Sequence, residues 1–415
     1  MTSRERVWSA INFREADKVP IDIGGTENTG VHIDEYCDWM KYAGINMENP
    51  KVFDQFQMLA RVEGDMREYL HTDVVMVENP IFRWGFYNRD WKQWTTYAGN
   101  TVLMPGDFQP VEDEEGNILI LGDNGKPQAS MPKGGKYFDR ACSTQMSEEI
   151  SFMDPQDWKR QIPLYTDEEL RDMEENAKFL HENTTYSVHG GFGKGKLFTT
   201  GIMAGHTMTD WLCLLMMEPE YIGNILDVTA ERAIENLEMY IQAVGKYIDT
   251  ILVASTDYGS QKSEIFSPSA FEELYVPRYR KITDYIHKHC HAKTLLHSCG
   301  SVRNFIPLFI QSGIDILNPV QTNAGGMDPV ELKKEFGGEI VFWGGGVESQ
   351  TVLPYGTPDE VRQQVIERIK VFAPGGGFIF AVIHNIQHGV PMENLQSMMD
   401  AFLENRNYNK NSSAF

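Results

Sequence analysis

From about residue 180 to the C-terminus, short β-branched apolar runs alternate with stretches whose apolar positions recur at helical spacing. That alternation predicts βα units around a parallel sheet. Strands are expected at 185–190 (TYSVHG), 250–256 (TILVAST), 293–299 (KTLLHSC), 314–320 (IDILNPV), 339–345 (EIVFWGG) and 377–383 (GFIFAVI). Two more fit upstream, at 19–25 (VPIDIGG) and 72–78 (TDVVMVE). Eight strands close a (β/α)8 TIM barrel, the expected α/β fold, as a single domain over residues 1–415.

Helix starts are marked by caps. Ser267-Pro268, Asp328-Pro329 and Thr357-Pro358 each place a side-chain acceptor at N-cap and a proline at N1. Glu331 and Glu360 add the acidic N3 residue of a capping box. Between about 80 and 165 the alternation stops, which predicts an insertion or subdomain within the barrel. Residues 82–99 are crowded with aromatics, including Trp84, Phe86, Tyr87, Trp91 and Trp94, and residues 111–130 read as a β-hairpin with Asn124-Gly125 in a type I′ turn. The insertion either shapes a pocket or is a solvated hairpin packed by its tryptophans.

In such a barrel the site is assembled at the C-terminal ends of the strands. From residue 250 onward these ends carry Asp257, His297, Cys299, Asn318, Gln321, Glu348, His384 and Asn385. His297 and Cys299, at i and i+2, face the same side of their strand, here the barrel mouth. With His384 from the last strand they form the expected metal set, since catalytic zinc takes three nitrogen or sulfur ligands and keeps one position open. The spacing alone also fits two core side chains. Asp257, in STDYGSQ, is either a site carboxylate, as a further zinc ligand or a hydrogen-bond partner for substrate, or the organiser of its own loop. Tyr258 and Trp343 offer stacking faces for an aromatic substrate or belong to the core, and Asn318, Gln321, Glu348 and Asn385 either meet substrate or satisfy loop backbone. The run HKHCHAK (287–293) is metal-like in composition, but its place at a helix C-terminus suits cationic histidines structurally. The glycines of FWGGGVES (342–349) permit close backbone approach to a ligand without the spacing of a dinucleotide fingerprint.

A net charge of −22 argues against a nucleic-acid footprint. No apolar leader and no run long enough to span a bilayer is present, so no membrane partner and a cytoplasmic location are expected. Five scattered cysteines, Cys37, Cys142, Cys213, Cys290 and Cys299, do not form a disulfide framework.

The segments LLHSCGSVRNFIPLFIQSGIDILNPVQ, FWGGGVESQTVLPYGTPDEVRQQV and APGGGFIFAVIHNIQHGVPMENL, with RERVWSAINFREADKVPIDIGG near the start, resemble the uroporphyrinogen decarboxylase superfamily. The resemblance is closest to its zinc-dependent, corrinoid-linked methyltransferases. It implies a barrel that moves a methyl group to or from a corrinoid (cobalamin) carried by a separate protein, with zinc held by the His297-Ser298-Cys299 pair. A later cysteine ligand of those enzymes is replaced here by His384. The region that supplies an arginine clamp in the decarboxylase reads GGTENTG here, which leaves an acidic tetrapyrrole without its counter-charge. The expected activity is therefore O-demethylation of a methoxylated aromatic compound with methyl transfer to a corrinoid protein. Alternatives are a methylcorrinoid:thiol methyltransferase, a metal-free lyase like the decarboxylase, and a non-catalytic binding module. A homodimer is an expectation by fold analogy alone.

Overall fold

A computed structural model describes residues 1–408 apart from Met47, Phe82, Asp123, 141–146, Glu148 and 198–202. Cys142 lies outside the described residues, and Cys37, Cys213, Cys290 and Cys299 are free thiols.

Seven strands lie side by side in chain order: β1 (Val74–Val77), β2 (Ser187–Gly190), β3 (Thr250–Ser255), β4 (Lys293–His297), β5 (Ile316–Asn318), β6 (Val341–Trp343) and β7 (Phe378–Ile379). Every neighbouring pair is parallel. The eighth position is taken by residues 19–25. There the Asp22 amide donates to the Phe380 carbonyl (2.8 Å), and on the other side the Asp73 amide donates to the Ile21 carbonyl (2.7 Å). The ring is a TIM barrel whose first member is cut short by Gly24 and Gly25.

Period-two alternation sorts the strand residues into two cores. Leu252, Leu295, Ile316, Val341, Trp343 and Ile379 fill the barrel interior. Their sequence neighbours Ile251, Leu296, Leu317, Phe342 and Phe378 pack outward in the main cluster beneath the helices. The N-terminal helix α1 (Ser3–Ala10) places Val7 and Ala10 against the interior set and plugs the floor of the barrel. The opposite end, at the strand C-termini, is left for chemistry.

The proline-marked helices begin as expected, at Pro268, Pro329 and Pro358. The reciprocal capping box forms between Thr357 and Glu360, whereas Asp328 caps by itself, accepting from the amides of Val330 and Glu331.

Between β1 and the helix Asp167–Asn183 lie two antiparallel sheets. One is the hairpin Lys92–Thr95 with Thr101–Met104; the other has four strands, Val111–Glu112, Ile118–Leu121, Pro127–Met131 and Asp139–Arg140. The hairpin at 111–130 is present within the second sheet, but its turn is not type I′. Gly122 and Lys126 close a longer loop in which Gly125 takes φ +71° while Asn124 stays at negative φ, the geometry of a loop with a glycine bulge. The aromatics of this region pack on one another: Trp84 against Phe56 and Phe138, and Phe86 and Trp94 against Phe108. Trp91 is covered by the Arg61 guanidinium at 5.0 Å.

The HKHCHAK run sits at the closed end of the barrel. His287 pairs with Asp315 at 2.8 Å, and no metal-type cluster among the described residues includes the run. No helix of the described residues is long and apolar enough to cross a membrane.

Candidate metal centre

The end of β4 runs directly into a tight loop. Gly300 has φ +92°, and a Cβ there would sit 2.3 Å from the Gly259 carbonyl oxygen, so only glycine lets the two loops touch. This contact sets Cys299 in place: its amide donates to Asp257 Oδ1 at 2.9 Å, and the Gly300 amide donates to Gln321 Oε1 at 2.7 Å. Gly300→Ala is expected to destabilise the fold by at least about 2 kcal/mol, the combined cost of a left-handed alanine and a backbone clash. Chemical denaturation checks this.

His297, Cys299 and His384 converge at the mouth, with their potential ligand atoms all within 4.8 Å of one another. The His297 Nε2 to Cys299 Sγ distance is 3.6 Å. Zinc bonds of about 2.1 Å to nitrogen and 2.3 Å to sulfur at a tetrahedral angle require a separation of about 3.6 Å. The donor set and its spacing fit a zinc ion.

The orientation of His297 is fixed from behind. Asn318 Nδ2 donates to the Trp343 carbonyl (3.0 Å), so its amide oxygen faces His297 and accepts from Nδ1 at 2.6 Å. The proton is thereby held on Nδ1, and the Nε2 lone pair is left pointing at Cys299 and His384. A histidine anchored through its other nitrogen is the usual support for a metal ligand. Burial lowers the basicity of both imidazoles, His384 to about 4, with the neighbouring His297 adding to the effect. Burial also raises the Cys299 thiol well above its ordinary value, reinforced by Asp257. Two neutral imidazoles and a thiol are a set that a dication would bind with release of one proton.

A second cluster, His32, Asp34 and His388, meets the same distance criterion but not the chemistry. His32 Nδ1 accepts from the Asp34 amide and Nε2 donates to the Lys136 carbonyl at 2.9 Å, so neither nitrogen is free. Asp34 accepts from Thr96 and Asn100 and faces the Lys136 ammonium at 3.6 Å. This cluster clasps the inserted sheets to the helix Ile33–Tyr42.

The residues expected to meet substrate divide sharply. Tyr258 does not face the mouth: it is fully buried among Phe266, Phe271, Tyr275 and Phe305, with its hydroxyl on Tyr279 at 2.6 Å, because alternation after β3 sends it outward. Trp343 has no open face either; it fills the barrel interior and donates its indole N–H to Asp22 at 2.9 Å. Glu348 spends its carboxylate on the amides of Gln350, Thr351 and Val352 and on Asn323, capping the next short helix. Gln321 and Asn318 support the strand end that carries His297 and Cys299, and Asn385 holds the loop over the mouth through the Gly30 amide (2.6 Å) and Gln57. Asp257 stays at the triad and acts electrostatically on all three of its members.

Four polar residues near the mouth come from the strands before residue 250. Asp22 is buried and raised to about 7 by desolvation, holding the loop 24–30 through the Gly25 amide and Thr29. In that loop Glu27 pairs with Lys196 at 3.2 Å, their side chains 14% and 7% exposed. His189 is fully buried, bonded through Nδ1 to Thr250, with Nε2 unpaired. Glu27 and Lys196 act electrostatically on both His189 and His297. The strand-end criterion, applied to the first and third members of the ring, identifies Glu27 and Lys196 just as it identifies Asp257.

Sequence comparison matches residues 177–404 to the uroporphyrinogen decarboxylase (URO-D) family. A uroporphyrinogen decarboxylase of Psychromonas ingrahamii is 24% identical over 224 residues, 53% of this chain; the match spans only 55% of that relative's own length. Among solved structures, a methyltransferase from Methanosarcina mazei is similar in fold, with a TM-score of 0.54 at 15% identity, covering 97% of this chain and 99% of that one. More than half of this chain, including His297, Cys299 and His384, lies in the matched region, and the chain belongs to the uroporphyrinogen decarboxylase family.

Proposed function

We propose that this protein is a zinc-dependent methyltransferase that moves a methyl group from a methoxylated aromatic compound to the cob(I)alamin of a separate corrinoid protein. The observation that carries this reading is the His297–Cys299–His384 cluster with His297 Nε2 aimed by Asn318. Zinc bound there supplies Lewis acidity to an ether or phenolic oxygen, stabilising the charge that develops as the C–O bond breaks. In this reading His297, Cys299 and His384 hold the ion, Asn318 keeps His297 in its ligating tautomer, and Asp257 fixes the Cys299 backbone. The loop 24–30 is tied down by Asp22 and Asn385, and the insertion meets the segment after His384 where the Tyr137 hydroxyl accepts from the His388 amide.

Asn318→Leu is expected to weaken zinc binding about 10- to 100-fold while the protein remains folded, because a lost outer hydrogen bond frees the ligand rather than removing it. Competition with a chromophoric chelator, alongside circular dichroism, measures both.

A metal-free decarboxylation has the family match in its favour. Against it, the cation among the four polar residues near the mouth, Lys196, is already paired with Glu27, and Asp257 adds negative charge where a polycarboxylate would sit. Elemental analysis of protein purified without chelators, followed by methoxyarene assays monitored through cobalamin absorbance, tests the proposal. About one zinc per chain and loss of the cob(I)alamin spectrum on adding substrate support it. A chain that neither carries nor takes up zinc returns the lyase and binding-module readings. Zinc with turnover only of a thiol acceptor identifies the methylcorrinoid:thiol reaction.

A further inference from the structure

At the closed end of the barrel, remote from the metal triad, a cavity of about 350 Å³ opens beside the N-terminal helix. Five basic residues converge on it from separate segments. Arg6 comes from α1, Lys18 from the approach to the first ring member, Arg67 and His71 from the end of the helix Gly64–Tyr69, and Arg406 from beyond the last helix. Two carboxylates share the wall, Glu68 and Asp73. Asp73 is consumed locally: it binds Arg6, Arg406 at 3.2 Å, the Ser3 hydroxyl and the Ile21 amide.

Of the remaining basic groups Lys18 and Arg67 are the cations, while burial, Arg406 and Lys18 lower the His71 imidazole. Among the described residues no ion pair involves Lys18, Arg67 or His71, while Arg67 spends one N–H on the Val62 carbonyl and stacks on Tyr186 at 5.5 Å. After burial, the largest influences on Lys18 are the repulsive charges of Arg406 and Arg6, and on His71 those of Arg406 and Lys18. A chain of net charge −22 thus gathers mutually repelling basic groups in one concavity. Stability alone does not call for this, since a like-charge cluster opposes folding.

We propose that this cavity binds a phosphoryl dianion, held by Lys18, Arg67 and His71 and backed by the fixed guanidiniums of Arg6 and Arg406. Two negative charges on tetrahedral oxygens match a fork of guanidinium donors and a point ammonium better than a single carboxylate does. The hydroxyls of Thr72 and Thr185 on the same wall supply neutral donors. The site does not depend on the function proposed for the mouth.

Calorimetric titration of the full chain with inorganic phosphate and with adenosine 5′-monophosphate, at ionic strength matched by chloride, tests it. Wild type is expected to bind one equivalent, and Lys18→Met and Arg67→Met to bind at least about tenfold more weakly, the effect of losing one charge-assisted hydrogen bond. His297→Ala is expected to bind as wild type does, which separates this cavity from any anion that rests on a metal. Equal affinity for the two compounds makes the free phosphoryl group the ligand; tighter binding of the nucleotide means the group arrives on a nucleoside. Absence of binding by folded wild type, unchanged affinity in both cavity variants, or loss of binding in His297→Ala overturns the proposal.

Discussion

His297→Ala and Cys299→Ser are each expected to leave the purified protein with less than a tenth of the wild-type zinc, and to lower methyl transfer at least about 100-fold. Each removes one of three donors whose positions are already fixed before any metal arrives: His297 by the Asn318 hydrogen bond and Cys299 by its amide bond to Asp257. With only two donors left, the site loses both affinity and the geometry that keeps one position open for substrate. Neither variant should unfold the barrel, because His297 lies at the end of its strand and Cys299 beyond it, outside the interior set led by Leu295. Metal content measured beside a thermal melt separates the two effects. Wild-type zinc content in both variants would contradict the assignment, and a collapsed melt in both would show these residues to be core after all. His384→Ala extends the series, since His384 stands where the resembling methyltransferases carry a cysteine.

Asp73→Ala carries the largest expected stability loss, about 3–5 kcal/mol. Asp73 is 2% exposed and sits between Arg6 and Arg406, whose side chains are 7% and 4% exposed. The pair of guanidiniums comes from opposite ends of the chain, so this one carboxylate ties the N-terminal helix and the C-terminal segment to the barrel floor. Removing it leaves the buried Arg406 without an ion-pair partner and Arg6 with Asp17 alone, and strands the Ile21 amide that helps close the ring. Asp73→Asn should cost less, because an amide oxygen still accepts hydrogen bonds while the charge is lost. Urea denaturation of the two variants gives the ordering; equal losses would mean that charge rather than hydrogen bonding holds the floor.

The barrel was legible in the chain because each strand is a short apolar run bounded by turn residues, and each run recurs in the structure within a few residues of its expected span. The helix starts were legible for a local reason as well, since a cap acceptor and a proline act on their own backbone. The exception, the turn near Asn124, shows the limit of local rules: the pairing of Gly122 with Lys126 lengthened the loop and left asparagine no need of positive φ.

The site was legible in part. The i, i+2 spacing of His297 and Cys299 predicts a shared face, and the strand-end rule adds His384; the geometry brings the three together. What no local pattern could reveal is which polar neighbours are already spent. Tyr258, Trp343 and Glu348 carry the right functional groups at the right strand ends, yet one faces the helices, one fills the interior and one is spent on the amides that lead into the next short helix. Conversely, Glu27 and Lys196 are 169 residues apart and become a pair only when the first and third members of the ring meet at the mouth. By itself the sequence determined the order and length of the strands, the helix boundaries and the shared face of His297 and Cys299, because these follow from the periodicity of a single segment. Only the tertiary structure decided which side chains keep free lone pairs, since that depends on partners supplied by segments distant in the chain and on the burial that makes every unpaired group costly.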